Sequence, residues 1–336
     1  KFYLFIKNLR RDSTGVTPLK ENGILKSDPT TKANILNKQY QSVFTQDLNI
    51  DMTQLPAPSR QLPLMSDVKI TVQGVMKLLA GLNPSKAAGP DAMPPRVLKD
   101  LAIEIAPAVH LIFQHSLDRG ILPSPWLNAN IAPVFKKGER YKASNYRPVS
   151  LTCIMCKLLE HIIVSNILTH LDTHNALADQ QHGFRNQLSC ETQLLQFIDD
   201  LAYGIQGGGQ FDVIIMDFSK AFDKVSHQRL LYKLRGFGIN DQIHDWIKSF
   251  LCNRKQRVIV DGATSDFVPV DSGVPQGTVL GPLLFLIYIN DLPEYVTCPV
   301  RLFADDCVIY KIKSRDDVVM LQKDLKNLEK WELTWK

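Results

Sequence analysis

Residues 301–310 read RLFADDCVIY, in which two adjacent aspartates, Asp305 and Asp306, interrupt a run of strand-forming residues. Adjacent ionised carboxylates repel each other, and a sequence chosen for stability alone would not place them between apolar strands without a compensating charge. The natural compensation is a divalent cation held by oxygen ligands, Mg²⁺ or Mn²⁺. The pattern therefore predicts a β-hairpin whose tip is a metal site. A solvated polar turn is the alternative, and taken alone it is the more common structure.

A third carboxylate follows a second predicted strand. Residues 213–216 read VIIM and are followed by Asp217. Such a short continuous apolar run is typical of a strand buried on both faces, and a carboxylate at its end is held rigidly, as a metal ligand should be. Two-metal phosphoryl transfer needs carboxylates from separate elements, and Asp217, Asp305 and Asp306 supply such a set. Capping of the following turn or helix is the alternative role for Asp217.

The two-metal requirement also sets a distance. Ions about 4 Å apart cannot be shared if Asp217 lies more than about 10 Å from the aspartate pair. If the carboxylates converge without metal, their mutual repulsion should raise their pKa values.

Between these carboxylates, residues 272–285 read SGVPQGTVLGPLLF. We expect Gly273 and Gly277 to let the backbone approach a ligand closely, and Gln276 to hydrogen-bond a base edge or a sugar. The apolar residues after Gly277 recur at helical spacing, which predicts a core helix. Only the Pro-Gln-Gly corner is therefore interpreted as functional.

Six motifs, in their order and spacing, resemble the reverse transcriptase of non-LTR (LINE-type) retrotransposons, most closely its jockey-like branch. The resemblance covers residues from about 71 to 336, and each motif alone is weak evidence. The motifs are KAAGPD at 86–91, NYRPVSL at 145–151, HGFR at 182–185, DFSKAFD at 217–223, GVPQG at 273–277 and FADD at 303–306.

The resemblance implies a role for each matching residue. Asp217, Asp305 and Asp306 match the catalytic and metal-binding carboxylates, which implies Mg²⁺ as the cofactor, with Mn²⁺ as a substitute. Phe222 matches an aromatic gate against the ribose 2′-hydroxyl. The other matches are to nucleotide- and template-contacting positions, namely Gln276, Gly277, Arg185 and Arg147.

The gate position also separates two classes of polymerase. Viral RNA-dependent RNA polymerases resemble this fold but typically carry an acidic residue there, whereas a bulky apolar Phe222 leaves neither room nor a hydrogen-bond partner for a 2′-hydroxyl. The residue therefore favours DNA synthesis over RNA synthesis. A plain core role for Phe222 is the alternative.

The implied function is that of an RNA-directed DNA polymerase, which extends a DNA primer with dNTPs on an RNA template by two-metal nucleotidyl transfer. The alternative is a catalytically inactive retroelement remnant that at most binds RNA. The implied fold is α+β, with the fingers and palm of a right-hand polymerase, an incomplete split βαβ palm and no thumb. The missing Met at Lys1 and the end at Lys336 indicate a fragment of a longer product.

Three regions are predicted along the chain. Residues 1–65 form a basic segment, a helix and a linker, residues 66–210 an N-terminal extension and the fingers, and residues 211–336 a palm that stops before its final strand. Gly207, Gly208 and Gly209 form a flexible joint ahead of the palm.

The charge distribution indicates a phosphate-rich partner. The 336 residues carry a net charge of +5, and residues 1–40 hold eight Lys or Arg against three acidic residues. A second basic excess comprises Lys136, Lys137, Arg140, Lys142 and Arg147. Such patches suit nucleic-acid backbones, and we expect this cluster and Arg185 to lie on the fingers side of the cleft. A solvated surface is the alternative.

Composition excludes two other classes of protein. No apolar run reaches the roughly 20 residues of a membrane helix, so no membrane partner is expected. The six cysteines are scattered, which fits a reducing compartment and an intracellular location, nucleus or cytoplasm. The oligomeric state is left open by the sequence.

Overall fold

A computed structural model of the chain describes residues 15–45, 52–58, 60–206, 211–312 and 317–335. Residues 1–14 of the predicted basic run at 1–40, and the predicted glycine joint at 207–209, lie outside these ranges. Within them the fold is mixed α+β, and two of its sheets position the site described below.

The helices follow the apolar periodicity of the sequence. In chain order their bounds are α1 Pro29–Gln41, α2 Val72–Ala80, α3 Pro95–Asp100, α4 Ala102–Arg119, α5 Ile154–Thr173, α6 Cys190–Gln206, α7 His227–Gly236, α8 Asp241–Leu251, α9 Leu280–Ile289 and α10 Asp317–Trp335. Several begin at a side-chain cap, as where the carboxamide of Asn240 accepts the backbone N–H of Ile243 at the start of α8.

The strands of the described residues form three sheets. Their bounds are β1 Leu19–Glu21, β2 Ile24–Lys26, β3 Asn128–Phe135, β4 Tyr146–Leu151, β5 Phe211–Asp217, β6 Lys255–Val260, β7 Ala263–Thr264, β8 Val268–Pro269, β9 Val300–Phe303 and β10 Asp306–Ile312. The β1–β2 pair stands alone, and the other two sheets have the orders β5-β10-β9 and β4-β3-β6-β7, with β8 also paired to β6.

The sheet of β5, β10 and β9 is antiparallel throughout, and it contains the predicted hairpin. The expectation that β5 is buried on both faces is wrong, because Val213 and Ile215 are exposed and Ile215 retains 75% of its accessible surface. Their neighbours Ile214 and Met216 pack against the core. Because β5 is an edge strand with one face on the core, a continuous apolar run here conceals a two-residue alternation.

The second sheet joins distant parts of the chain. β3 and β4 form an antiparallel hairpin within the predicted fingers region, and β6 adds to β3 in parallel. Strand β6 comes from the predicted palm region, so this sheet includes strands from both sides of the predicted boundary at residue 210. The three predicted regions stay a prediction.

Helix α5 runs through the main core. By length and composition it is the one helix of the described ranges that could cross a membrane, although Lys157 and Glu160 interrupt its apolar residues. Ile163, Ile167 and Leu171 are fully buried in the core cluster, and the core helix of a globular protein meets the same criterion.

Candidate active site

The hairpin register brings the backbones of the three predicted aspartates together. Asp306 lies directly opposite Asp217 in the β5–β10 pair, and the backbone N–H of Phe218 reaches the carbonyl oxygen of Asp305 at 3.5 Å. Directly paired residues of antiparallel strands have Cα atoms about 5 Å apart. Asp217 is therefore well inside the distance of about 10 Å that two shared ions allow.

An open cleft of about 610 Å³ lies between this hairpin and the β3–β4 hairpin. Asp217 and Asp305 both line it, whereas Asp306 is exposed beside Asp217 and lies outside the lining. The three aspartates are thus not equivalent, since two face the cleft and the third stands at its edge.

The electrostatics of the hairpin tip are unfavourable. Burial raises the pKa of the half-buried Asp305 carboxyl, and the neighbouring charges of Asp306 and Asp217 raise it further. Arg147 acts in the opposite direction. The predicted direction of the shift is thus present at Asp305, but burial is a larger cause than the predicted repulsion.

The carboxylates suit a hard divalent cation that takes its remaining ligands from water or substrate. Within the described ranges, no three Asp, Glu, His or Cys side chains converge as a ready-made metal cluster. Mg²⁺ rarely uses such cages, because it binds through one or two carboxylates and completes its shell with water and substrate phosphates. Asp217 and Asp305 place two carboxylates on one open cleft, which matches this mode of Mg²⁺ binding.

Phe222 lies in the turn that follows β5, and it has two environments. Its ring lines the cleft and also stacks on Phe285 of α9, with centroids 4.3 Å apart. Phe184 forms a T-shaped contact with the same ring, with centroids 6.1 Å apart. The predicted gate and the alternative core role are therefore compatible, since core packing holds the ring that borders the cleft.

The Pro-Gln-Gly corner is held by backbone on one side and by a carboxylate on the other. The N–H of Ser150 donates to the carbonyl of Gln276 at 2.7 Å, and the Gln276 carboxamide donates to Asp223 at 3.0 Å. Asp223 is largely enclosed, and burial raises its pKa above the usual range. Gln276 and Gly277 both line the cleft.

The two glycines of this corner serve packing within the chain. A Cβ on Gly273, which has a φ of +86°, would meet the carbonyl oxygens of Phe222 and Asp223 at 2.7 Å. One on Gly277, at a φ of +98°, would meet the Ser150 carbonyl oxygen at 3.0 Å. The predicted close approach is therefore to the chain's own backbone, at both positions.

A buried carboxylate fixes the same corner from behind. Glu160 of α5 is fully buried and accepts the N–H groups of Val279 and Leu280, at 2.7 and 2.9 Å. These groups lie at the start of α9, where backbone donors lack partners within the helix. The helix that follows the corner is thereby anchored to the core.

The basic residues divide into two groups. Lys136, Lys137 and Arg147 line the cleft opposite the carboxylates. Arg185 is outside the lining and donates instead to the carbonyl of Ala178 at 2.9 Å. Its predicted role as a nucleotide contact stays a prediction, which this position does not favour.

Three cleft residues escaped the sequence interpretation. Phe184, 56% exposed, occupies the wall that was assigned to its neighbour Arg185, and its positive φ of 56° turns the chain there. Lys220 has the same φ and adds a cation to the lining, and Asp223 holds Gln276. Lys220 and Asp223 both lie in the motif at 217–223, beside Asp217 and Phe222. Their position in that motif was the signal that could have identified them.

Comparison with known proteins gives a consistent result. A family model described as reverse transcriptase (RNA-dependent DNA polymerase) matches residues 134–336. The chain is 32% identical over 285 residues to the RNA-directed DNA polymerase from mobile element jockey of Drosophila melanogaster, and 30% identical over 289 residues to that of Drosophila funebris. Each match covers 82% of this chain and 31% of the relative.

A third relative aligns almost throughout this chain. The probable RNA-directed DNA polymerase from transposon BS of Drosophila melanogaster is 26% identical over 350 residues, which cover 98% of this chain and 38% of that protein. The chain therefore spans about a third of the length of these relatives. It belongs to the reverse transcriptase family and is related to the polymerases of non-LTR, LINE-type retrotransposons.

Proposed function

We propose that this member of the reverse transcriptase family extends a DNA primer with dNTPs on an RNA template by two-metal nucleotidyl transfer. One observation carries the proposal: Asp217 and Asp305 line the same open cleft as Phe222, Gln276 and a set of cationic side chains. The reaction needs metal-binding carboxylates, a sugar-facing wall and phosphate-binding groups around one space, and this cleft offers all three.

Asp217 and Asp305 are the side chains that would hold Mg²⁺ or Mn²⁺ in this cleft, with Asp306 close by. When bound, such ions supply activation of the attacking primer hydroxyl and stabilisation of the departing pyrophosphate. The unfavourable charge density at the hairpin tip supports this assignment, because a cation would relieve it. The chain's own contribution is to keep these carboxylates fixed on two paired strands.

Phe222 is assigned to sugar selection. Its ring contacts both Phe285 and Phe184, and these contacts restrict its movement away from a ligand in the cleft. A 2′-hydroxyl against this ring would meet carbon and no hydrogen-bond partner, which disfavours a ribonucleotide. The bond to Asp223 fixes the orientation of the Gln276 carboxamide beside this wall.

Lys136, Lys137, Arg147 and Lys220 are assigned to phosphate groups of template and nucleotide. Cations opposite a carboxylate cluster give the cleft two poles, which suits a ligand that brings both metal-bound phosphates and a polyanionic backbone.

The six cysteines form no disulfide, which supports the proposal of an intracellular site of action, in nucleus or cytoplasm.

Primer extension tests the proposal. The chain is incubated with a DNA primer annealed to an RNA template, dNTPs and Mg²⁺ or Mn²⁺, in parallel with the variants Asp217→Asn and Asp305→Asn. We expect weak extension by the wild-type chain and none by either variant. Binding of the RNA template without extension under any of these conditions would contradict the proposal and favour the alternative, a remnant that only binds RNA.

A further inference from the structure

Residues 178–184 pack against the tip of the catalytic hairpin. Backbone hydrogen bonds join the two segments: the N–H of His182 donates to Leu302 at 3.0 Å, and the N–H of Leu302 donates to Gln180 at 2.9 Å. The pairing is a parallel bridge between Gln181 and Leu302. The segment therefore runs beside β9 and reaches the turn at residues 304–305.

That turn contains a backbone conformation that needs support. Ala304 has a φ of +53°, in the left-handed region that side chains with a Cβ disfavour. It immediately precedes Asp305, so any relaxation of Ala304 would redirect the Asp305 carboxylate. Conformations of this kind persist only where the surroundings over-determine them.

The side chain of Gln181 provides that support. Its Oε1 accepts the N–H of Ala304 at 2.9 Å and the N–H of Gly183 at 2.8 Å, and its Nε2 donates to the carbonyl of Ala304 at 3.3 Å. Gln181 is buried, with 4% of its surface exposed. One carboxamide therefore hydrogen-bonds both the backbone N–H and the backbone carbonyl of Ala304.

Gly183 allows this contact. A Cβ at that position would lie 2.3 Å from the backbone nitrogen of Ala304 and 3.0 Å from Oε1 of Gln181. Any side chain at position 183 would push the turn away, so the backbones of Gly183 and Ala304 can approach this closely only with glycine at 183. We call Gln181, with its hydrogen bonds to Ala304, the brace.

We propose that Gln181 is a positioning residue for the hairpin tip: it holds Ala304 in its left-handed conformation and so sets the direction in which Asp305 faces Asp217. Gln181 touches neither carboxylate in its hydrogen bonds and acts through Ala304. The inference rests on the proposed function for its kinetic readout, and two further readouts do not depend on polymerase activity.

The variants separate bracing from general stability. Gln181→Met keeps the length of the side chain and removes all three hydrogen bonds, whereas Gln181→Glu keeps the acceptor oxygen and loses the donor to the Ala304 carbonyl. Asn240→Leu is the matched control, because Asn240 is an equally buried carboxamide that also bonds backbone groups, those of Ile243 and Met65, at a place outside the cleft lining. Gly183→Ala pushes on the turn without removing the carboxamide.

Three properties are measured on the full chain: the kinetics of single-dNTP incorporation (kcat and KM), the affinity for Mn²⁺ alone by electron paramagnetic resonance, and hydrogen exchange at the Ala304 amide. For Gln181→Met we expect kcat to fall about 100-fold, as for a misplacement of about 1 Å, while KM changes less than about threefold. Mn²⁺ affinity should fall about tenfold, and Ala304 should exchange faster.

The remaining variants set the controls. Gln181→Glu should lose less of kcat than Gln181→Met, because its carboxylate still accepts the Ala304 N–H, and Gly183→Ala should change the same three properties in the same direction as Gln181→Met. Asn240→Leu should lower the melting temperature and leave all three properties near those of the wild-type chain.

Two results would overturn the inference: equal Mn²⁺ affinity and equal Ala304 exchange in Gln181→Met and the wild-type chain, or a loss of kcat in Asn240→Leu as large as that in Gln181→Met. If Gln181→Met weakens Mn²⁺ binding and speeds exchange while even the wild-type chain extends no primer, the brace is supported and the polymerase proposal fails.

Discussion

Two groups of carboxylates have opposite surroundings. Asp291 and Asp324 are buried outside the cleft lining and are called the carboxylates behind the cleft, whereas Asp217 and Asp305 line the cleft and form its floor. Behind it, Asp291 bonds Lys233 at 2.6 Å and the indole N–H of Trp331 at 3.0 Å, and the buried Asp324 accepts backbone N–H groups of Thr297 and Cys298. Although burial alone would raise it, these bonds keep the pKa of Asp324 below its usual range. At the floor, burial and like charges raise the pKa of Asp305.

This difference distinguishes structural carboxylates from functional ones. A buried carboxylate that is fully bonded contributes to the fold, and removing its donors would leave a costly buried charge. A carboxylate with a raised pKa beside two others is a cost to the fold, so its presence points to a ligand that the fold alone does not include. Substitutions should therefore have opposite effects on stability and activity in the two regions.

The largest effect is expected at the cleft floor. Asp305→Asn should lower the rate of dNTP incorporation by about 10³-fold or more, because a bound metal ion contributes several kcal/mol to such a reaction. Its stability should be unchanged or higher, since one repelling charge is removed. Incorporation assays and chemical denaturation of the same preparation measure both, and a large loss of stability would contradict the comparison.

The converse is expected behind the cleft. Asp291→Leu leaves the ammonium of Lys233 buried without its carboxylate, and breaking such a pair typically costs about 3 kcal/mol or more. Urea denaturation should show that loss in the free energy of unfolding. The rate per folded molecule should stay near that of the wild-type chain, and a tenfold loss at full folding would show that the two regions are not separable in this way.

The aromatic wall tests the comparison within the cleft. Phe222→Val opens space beside the sugar, and pocket changes of this size alter discrimination by roughly tenfold to a hundredfold. The ratio of ribonucleotide to deoxyribonucleotide incorporation should rise by that order. Phe250→Val, which removes a fully buried ring outside the cleft lining, is the control and should leave the ratio unchanged. Unchanged selectivity in Phe222→Val would place the sugar gate elsewhere.

The sequence alone predicts the features that depend on neighbouring residues. Asp305 and Asp306 between strand formers predict the hairpin, and its register with β5 follows once both strands exist. The exposed face of β5 was not predictable, because an apolar edge strand and a buried strand share one composition pattern. Arg185 could not be separated from Phe184, since a turn with positive φ decides which of two adjacent side chains reaches the cleft.

Long-range pairing limits the prediction further. Strand β6 joins β3 across more than a hundred residues, and nothing in the short segment 255–260 specifies that partner. Gln181 and Glu160 likewise look like ordinary helix or loop residues in the sequence, because their role comes from backbone groups that only the fold brings to them.

The pH dependence of the free energy of unfolding tests the region behind the cleft through Lys233, the partner of Asp291. Burial lowers the pKa of Lys233 to about 8, with Asp291 acting against that shift. Between pH 8 and about 10.5 the unfolded lysine holds a proton that the folded one has released, so stability from this group rises with pH, by up to about 1.4 kcal/mol per unit. Burial raises the pKa values of the Cys153, Cys156 and Cys307 thiols, so these groups lower stability as pH rises through the same range. The difference in the free energy of unfolding between the wild-type chain and Lys233→Met, measured from pH 7.5 to 10, therefore isolates the lysine and should change in favour of the wild-type chain.

The smallest effect is expected at the cationic wall. If Lys136 contacts a template phosphate, Lys136→Gln should reduce the slope of log affinity against log salt by about 0.7 for single-stranded RNA, because one fewer counterion is released. Fluorescence anisotropy over a series of salt concentrations measures the slope. Lys77→Gln removes an equally exposed charge from α2, outside the cleft lining, and should leave the slope unchanged. Equal slopes for both variants would mean that the basic cluster is a solvated surface, and that only the carboxylate side of the cleft is specialised.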